Sequence, residues 1–313
     1  MLSNLAFALE VTAPTFLVIC LGIFLKRIGM INNAFAELGS ELVFKVTLPC
    51  LLFVKLVQVS FETPPVTLII YAIFATITVF LLLEYVIAPK LVKEDRSAFV
   101  QGAFRGNMGI VGLAFCLNAY GESVLALASV YLAFLTILFN ILAMVTLTRN
   151  RINDANPPSF HRTLLNLAKN PLILSISLAI ALSLMHISMP KFLLNTMDYI
   201  GGMSMPLALL CTGASIRWRD FRVSYNLYWA TLAKILLVPS VITLGGILIG
   251  LRGEALGVLY LMSGAPTAAA SYPMLRAIGG NHYLGAAIIA STSLGAVLAI
   301  TLGLFVLRGS GLI

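Results

Sequence analysis

The stretch RGNMGIVG, at residues 105–112, determines how the rest of this sequence is interpreted. It lies inside a hydrophobic segment, 98–119, yet it contains three glycines, an asparagine and an arginine. Glycine in a helix interior costs about 1 kcal/mol relative to alanine, because it loses more backbone freedom on folding. We therefore predict that a helix running through this segment is broken between residues 105 and 112.

A second hydrophobic segment, 254–275, has a comparable interruption near its middle. It reads SGAPTAAASYP at residues 263–273. Pro266 has no amide hydrogen to donate, and its ring clashes with the preceding helical turn. The sequence therefore predicts two broken helices, one in each half of the chain.

The composition places both helices in a membrane. Of the 313 residues, 60% are hydrophobic and only 10% are charged, whereas about 25% of the residues in an average soluble domain are charged. A soluble fold of this size cannot cover so much apolar surface with so few charges. The composition excludes a soluble enzyme, a disordered protein and a nucleic-acid-binding domain, and it predicts an integral membrane protein with no nucleic-acid partner.

Ten hydrophobic segments are long enough to cross a bilayer, which takes about 20 apolar residues per helix. Each is predicted to be helical, because lipid offers no hydrogen-bond partner to an open backbone. In chain order the segments are 5–25, 37–57, 66–88, 98–119, 123–147, 171–188, 192–214, 227–250, 254–275 and 284–307.

The basic residues are distributed unevenly between the two sides of the membrane. Thirteen of the 20 lysines and arginines follow odd-numbered segments, and only three follow even-numbered ones. Cytoplasmic loops carry an excess of lysine and arginine. The sequence therefore predicts that both termini are extracellular or periplasmic, in an inner or plasma membrane.

The chain is predicted to consist of two inverted repeats. Residues 1–147 form the first five-helix repeat, 148–170 a cytoplasmic linker, and 171–313 the second repeat. Three residues of the first repeat have counterparts 157 positions later, in the pairs Pro14 and Pro171, Pro49 and Pro206, and Gly109 and Pro266. Because five spans are an odd number, a repeated half must enter the membrane upside down, as in many secondary transporters.

Two broken helices at matched depth also predict a binding site. The second half-helices are expected to begin near Ile110 and Thr267 and to direct their positive ends at the membrane midplane, which favours a carboxylate. The carbonyl ends of the first half-helices could instead hold a cation or a hydroxyl, so the helix dipoles alone leave the sign open. Asn107 can both donate and accept hydrogen bonds, which suits a carboxylate. The alternative is that the glycines only permit close helix packing.

Five stretches resemble, in order and placement, those of the auxin efflux carrier family, which includes plant auxin exporters and bacterial malonate/malate permeases. They match the family's second, fourth, seventh, eighth and ninth spans. The stretches are Leu42-Val43-Phe44 with 48–53, 104–112 with Tyr120-Gly121, 205–210 with 213–215, Ala233-Lys234 with Pro239, and Ala265-Pro266-Thr267.

This resemblance implies ten helices with external termini. It implies a scaffold of spans 1, 2, 6 and 7 that forms a homodimer, and a mobile domain of spans 3–5 and 8–10 that moves like an elevator. Asn107 falls on the family's substrate-contacting asparagine, and Pro266 falls on the proline where spans 4 and 9 cross. Residues 66–83 carry no charge, whereas plant members have an acid–lysine pair there, so the resemblance does not extend to auxin as the substrate.

The predicted substrate-binding residues surround the two breaks, with one asparagine added from span 5. They are Asn107, Met108, Gly109, Ile110, Val111, Pro266, Thr267, Ala268 and Asn140. Possible supporting residues are Arg105, Lys234, Ser291 and Ser293. Arg105 is expected to snorkel to lipid phosphate, with a contact to an entering anion as the alternative. Lys234 is placed near the site, with a salt bridge or a snorkelling side chain as alternatives.

The function predicted from these patterns is secondary active transport of a small organic anion, with H⁺ or Na⁺ as the coupling ion left open. No cofactor or metal is predicted, because the four cysteines form no CxxC pair and no HExxH motif is present. An enzyme is disfavoured, since no nucleophile has an evident partner base. A membrane channel or a membrane-embedded sensor remains the alternative.

Overall fold

The computed structural model describes residues 2–58, 66–150, 169–187, 189–216, 223–277 and 280–313. These residues are mostly helical. Two segments of extended backbone pair in an isolated antiparallel β-bridge between Gly106 and Thr267. Most of the cytoplasmic linker predicted at 148–170 lies outside the described residues.

The helices are numbered in chain order, and the letters a and b mark the two parts of an interrupted helix. They are α1 (Leu2–Arg27), α2 (Asn33–Leu42, Val43–Thr47 and Leu48–Val57 in succession), α3 (Val66–Lys90), α4a (Lys93–Phe104), α4b (Met108–Tyr120), α5 (Glu122–Arg149), α6 (Pro171–Leu184), α7a (Lys191–Gly202), α7b (Ser204–Ser215), α8 (Tyr225–Leu248), α9a (Gly253–Ser263), α9b (Ser271–Ala277) and α10 (His282–Gly309).

Five of the described helices, α1, α3, α5, α8 and α10, are long and apolar enough to cross a membrane. Each coincides with a predicted segment. Two shorter apolar helices, α4b and α6, also lie in predicted segments. The sixth segment was predicted too long, because α6 ends at Leu184 and not at residue 188.

The seventh predicted segment is interrupted, which the sequence analysis did not anticipate. Helix α7a ends at Gly202, and α7b begins two residues later at Ser204. The break has a local cause, because Pro206 has no amide hydrogen to donate to the carbonyl of Gly202 four residues earlier. Gly201 allows close packing at this point, since a methyl group there would lie 2.8 Å from the Cα atom of Leu51.

Prolines also widen α2 and α8. The turns Val43–Thr47 and Ala233–Leu237 are π-helical, and each is followed by a helical piece with proline at its second position, Pro49 or Pro239. A proline cannot close the usual i to i−4 hydrogen bond, so the preceding turn takes up an extra residue. In α8 this widened turn contains Lys234.

Helix α1 packs against α7b through two glycines, Gly22 and Gly213. A methyl group on Gly213 would lie 2.0 Å from the carbonyl oxygen of Ile19, and one on Gly22 would lie 2.2 Å from that of Leu210. Small residues of this kind let helix backbones approach closely in a membrane. Helix α2 adds to this group by packing against α6, α7a and α7b.

The helices that carry the two breaks pack with α3, α5, α8 and α10. Asp95, near the start of α4a, joins three helix starts, because its carboxylate accepts hydrogen bonds from the Nδ2 atoms of Asn226 (2.6 Å) and Asn281 (2.7 Å). Asn281 also caps α10 by accepting from the amide of Leu284. This cluster holds α4a in position relative to α8 and α10.

We predict that Gly213→Ala destabilises the protein by about 1–3 kcal/mol, because the new methyl group forces α1 and α7b apart. The measurement is the melting temperature of the purified protein in detergent. Gly202→Ala is the matched control, since nothing lies within 4 Å of the methyl group it would add. A Gly213→Ala protein that melts at the same temperature as the control would contradict the predicted packing.

Candidate functional site

The two predicted breaks are present, and they cross each other. The amide of Asn107 donates to the carbonyl of Pro266 (2.6 Å), and the amide of Ala268 donates to the carbonyl of Arg105 (2.9 Å). These two bonds flank the bridge between Gly106 and Thr267. Each broken helix thus supplies partners for backbone groups that the other has freed, and we call this contact the crossover.

Two glycines of the first break lie close to the side chains of neighbouring helices. A methyl group on Gly106 would lie 3.2 Å from Nζ of Lys234, and one on Gly112 would lie 2.9 Å from Sδ of Met262. Gly109 differs, because its nearest neighbour would be 3.5 Å away, at Leu48. The glycines of the RGNMGIVG stretch therefore allow both a broken helix and close packing of neighbouring helices. The two interpretations, a break that forms a site and a packing motif, do not exclude each other.

Thr267 is part of the crossover, but it does not begin a helix. Its amide donates to Oγ1 of Thr292 (3.1 Å), and its hydroxyl donates to the carbonyl of Gly102 (2.6 Å). Helix α9b begins only at Ser271 and has seven residues. The prediction of a second helix N-terminus near Thr267 was wrong, because the chain after Pro266 stays extended to pair with α4.

The start of α4b has the free amides that were predicted near Ile110. The carbonyl of Asn107 accepts from the amides of Val111 (3.1 Å) and Gly112 (3.2 Å). The amides of residues 108–110 have no acceptor among the described residues. The Asn107 side chain is half-buried and likewise has no partner in the described part of the chain. Four neighbouring groups can therefore still donate hydrogen bonds.

Lys234 lies at the crossover and is 1% exposed. Its Nζ atom donates to the carbonyl of Ser263 (2.9 Å), the last residue of α9a. No carboxylate of the described residues lies within salt-bridge distance of it. The alternatives of a salt bridge and a snorkelling side chain were wrong, because the widened turn of α8 directs the ammonium group at the carbonyl end of α9a, where a helix is negative.

Arg105 is also buried, so the expectation that it snorkels to lipid phosphate was wrong. Its Nη2 atom donates to Oδ1 of Asn140 (3.0 Å), and Nη1 contacts Sδ of Met274 (2.8 Å) and Oε1 of Gln101 (3.4 Å). The residue follows α4a in an extended conformation (φ −82°, ψ 102°). The helix therefore ends before Arg105, and the side chain points toward α5 and α9b.

The other predicted residues lie in four different surroundings. Pro266 and Ala268 belong to the crossover through their backbone groups, and the buried side chains of Met108 and Val111 pack in the core. Asn140 lies against Arg105 and donates to the carbonyl of Thr136. Two serines of α10 bond elsewhere, Ser291 with Thr231 of α8 (2.6 Å) and Ser293 with the carbonyl of Ile289 (2.7 Å).

From the sequence, Thr292 could line a cavity together with Ser291 and Ser293 of span 10, but it was not among the predicted site residues, and neither was Ser263. Thr292 is one of many hydroxyl residues in apolar segments, and nothing in its neighbours in sequence indicates that it accepts from Thr267. Ser263 contributes its main-chain carbonyl, which every residue has. No sequence signal could have selected it.

The electrostatics of the crossover favour a negative charge. Nζ of Lys234 donates to the carbonyl end of α9a, and Arg105 follows the carbonyl end of α4a in the chain. Neither cation has a carboxylate partner among the described residues. The groups still free to bind are the amides at the positive end of α4b and the Asn107 side chain. This arrangement can hold an anion by hydrogen bonds and charge together.

Comparison with known proteins gives relatives along almost the whole chain. Residues 7–304 match a family described as membrane transport protein. An uncharacterized transporter of Methanocaldococcus jannaschii is 23% identical over 297 residues, which cover 91% of this chain and 92% of the relative. The uncharacterized transporter YfdV of Escherichia coli K12 is 22% identical over 303 residues, which cover 94% of this chain and 96% of the relative.

We predict that Thr292→Val weakens the crossover by about 1–3 kcal/mol, because it leaves the buried amide of Thr267 without an acceptor at nearly unchanged volume. The measurement is again the melting temperature in detergent. Ser293→Ala is the control, since its hydroxyl bonds only within α10, and we expect a smaller loss because no buried donor is left without an acceptor. Equal losses from the two variants would show that the Thr292 contact does not stabilise the crossover.

Proposed function

Because the chain belongs to the membrane transport protein family that includes the auxin efflux carriers, we propose that it is a secondary active transporter of small organic anions, and of carboxylates in particular. Family membership confirms two predictions. The chain belongs to the family that its sequence resembles, and it is a transporter rather than an enzyme. The substrate class and the mechanism are proposals that rest on the crossover.

One observation carries the choice of an anion. At the crossover, free backbone amides and the Asn107 side chain lie near two buried cations, Arg105 and Lys234, with no carboxylate among the described residues beside them. A carboxylate has two oxygens, which accept several hydrogen bonds at once, and charged hydrogen bonds are about twice as strong as neutral ones. A cation at the same position would meet like charges, and the Asn107 side-chain oxygen would be the one acceptor among these groups.

For the architecture we propose ten spans in two inverted repeats, 1–147 and 171–313, with both termini extracellular or periplasmic in an inner or plasma membrane. The scaffold consists of α1, α2, α6 and α7, and a homodimer forms through it. Two observations support this division: α2 packs against α6 and both parts of α7, and α1 and α7b meet at Gly22 and Gly213.

The proposed mechanism is elevator-like alternating access, in which α3–α5 and α8–α10 move together past the scaffold with the substrate at the crossover. The two backbone bonds of the crossover join α4 to α9. The Asp95 cluster joins α4a to α8 and α10. Both contacts support movement of these helices as one body. The lipid bilayer and a H⁺ or Na⁺ gradient complete the system.

The test is uptake of ¹⁴C-labelled malonate, malate and benzoate into liposomes that contain the purified full-length protein. Uptake is compared with and without a sodium or proton gradient. Saturable uptake and counterflow of at least one of these carboxylates are the expected results. Flux that neither saturates nor shows counterflow would favour a channel, and uptake of none of the three would contradict the proposed substrate class.

We predict that Asn107→Ala lowers the apparent affinity for the transported carboxylate by roughly 10- to 100-fold, because hydrogen bonds to a charged group contribute about 1.5–3 kcal/mol. The concentration dependence of uptake measures this change. Asn195→Ala removes an exposed asparagine of α7a, and it should behave like the wild type. Wild-type affinity in a folded Asn107→Ala protein would show that the substrate binds elsewhere.

We predict that Lys234→Gln lowers uptake by about tenfold, because the carbonyl end of α9a then lacks its neutralising charge and repels the anion. Size-exclusion chromatography establishes that the variant is folded. Lys45→Gln is the control, since Lys45 is exposed and pairs with Glu41. If the two variants reduce uptake equally, the position of the ammonium group at the crossover has no role in transport.

A further inference from the structure

A row of buried polar side chains leads along α4a to the crossover. Ser97, Gln101 and Arg105 follow each other at intervals of four residues, so they lie on one face of the helix and its end. They are 0%, 0% and 6% exposed. Helix α4a begins at Lys93, and the row therefore connects the membrane side where α4a begins with the crossover.

A residue of α9b extends this row. Met274 contacts Arg105 through its sulfur atom (2.8 Å). Ser271 lies three residues before Met274 in the same short helix, so the two side chains share a face. Ser271 is 1% exposed. We call Ser97, Gln101, Arg105 and Ser271 the polar strip.

The polar strip has more donors than acceptors. Oγ of Ser97, Nε2 of Gln101 and Oγ of Ser271 are buried, and none of them has a hydrogen-bond partner in the described parts of the chain. The guanidinium group of Arg105 carries five N–H donors. It meets one good acceptor in Asn140, a long contact to Gln101 and the weakly accepting sulfur of Met274.

Such a surplus is unusual, because nearly all buried polar groups in native proteins have partners and an unpaired one destabilises the fold. A strip of unpaired donors beside a cation lacks an acceptor with negative charge. Water could satisfy the hydroxyl groups, but water brings no negative charge to Arg105. An anion with two oxygens supplies both the hydrogen-bond acceptors for these donors and the negative charge for Arg105.

We propose that the polar strip is a second carboxylate site, between the start of α4a and the crossover. This site rests on the proposed function, since it takes the same class of substrate on its way to or from Asn107. Arg105 binds the two carboxylate oxygens, Gln101 and Ser271 donate to them, and Met274 moves off Arg105 when the carboxylate binds. The strip is thus a specificity element for one side of the membrane.

The first test compares uptake and stability in matched variants. Ser271→Ala and Ser204→Ala each remove one buried hydroxyl without a described partner, but Ser204 lies in α7b. We expect Ser271→Ala and Gln101→Met to raise the KM for the transported carboxylate by about three- to tenfold. The melting temperature of Ser271→Ala should be unchanged or higher, because an unpaired donor is gone, and Ser204→Ala should leave KM unchanged. An unchanged KM in both strip variants would overturn the proposal.

The second test does not depend on transport. In a variant whose four cysteines are replaced by alanine, Ser97→Cys is treated with a negatively and a positively charged methanethiosulfonate reagent of similar size. We expect the negative reagent to react about tenfold faster, because a strip with one cation and free donors concentrates anions. Malonate in solution should slow this reaction. Equal rates, or no reaction with either reagent, would overturn the second site.

The two proposals fail in different ways. If the wild-type protein takes up none of the labelled carboxylates, the proposed function is wrong, whatever the strip variants do. If uptake is intact and depends on Asn107, but Ser97→Cys shows no preference for the negative reagent and the strip variants keep their KM, only the second site is wrong.

Discussion

The structure depends on the pairing of two interrupted backbones in an apolar environment. A broken helix exposes amides and carbonyls, and in lipid each unpaired group costs several kcal/mol. At the crossover, Asn107 bonds to Pro266 and Ala268 bonds to Arg105. Thr267 is further held by Thr292 and Gly102. Neither break could persist alone, and this mutual dependence brings residues of the two halves of the chain into one site.

The pairing also determines the charge of the site. Because α4 and α9 satisfy each other's freed groups near the bridge, the groups left to bind a ligand are the amides at the start of α4b, the Asn107 side chain and the donors of the polar strip. Lys234 occupies the carbonyl end of α9a, which would otherwise attract a cation. Unpaired donors reduce stability, and three of the seven buried side-chain atoms that have no partner among the described residues belong to the polar strip.

The sequence predicted the parts of this arrangement that depend on local chemistry. Glycines at 106–112 and Pro266 indicated the two breaks, and long apolar segments indicated α1, α3, α5, α8 and α10. It missed the break between α7a and α7b, although Pro206 is a local cause of it. Elsewhere it failed where a neighbour in space decided the outcome. The side chain of Arg105 points inward because α4a ends one residue earlier and Asn140 of α5 accepts from it. The amide of Thr267 is occupied because α10 places Thr292 beside it.

By itself, the sequence determined that the chain is a membrane protein, where two of its helices break and which family it resembles, because composition, glycine and proline act on the backbone locally. Only the tertiary structure decided which freed groups are paired and which remain open. The bond between Asn107 and Pro266 joins positions far apart in the chain, and Lys234 reaches Ser263 through a π-helical turn. Such contacts depend on how separate helices pack, and no local pattern of residues encodes that packing.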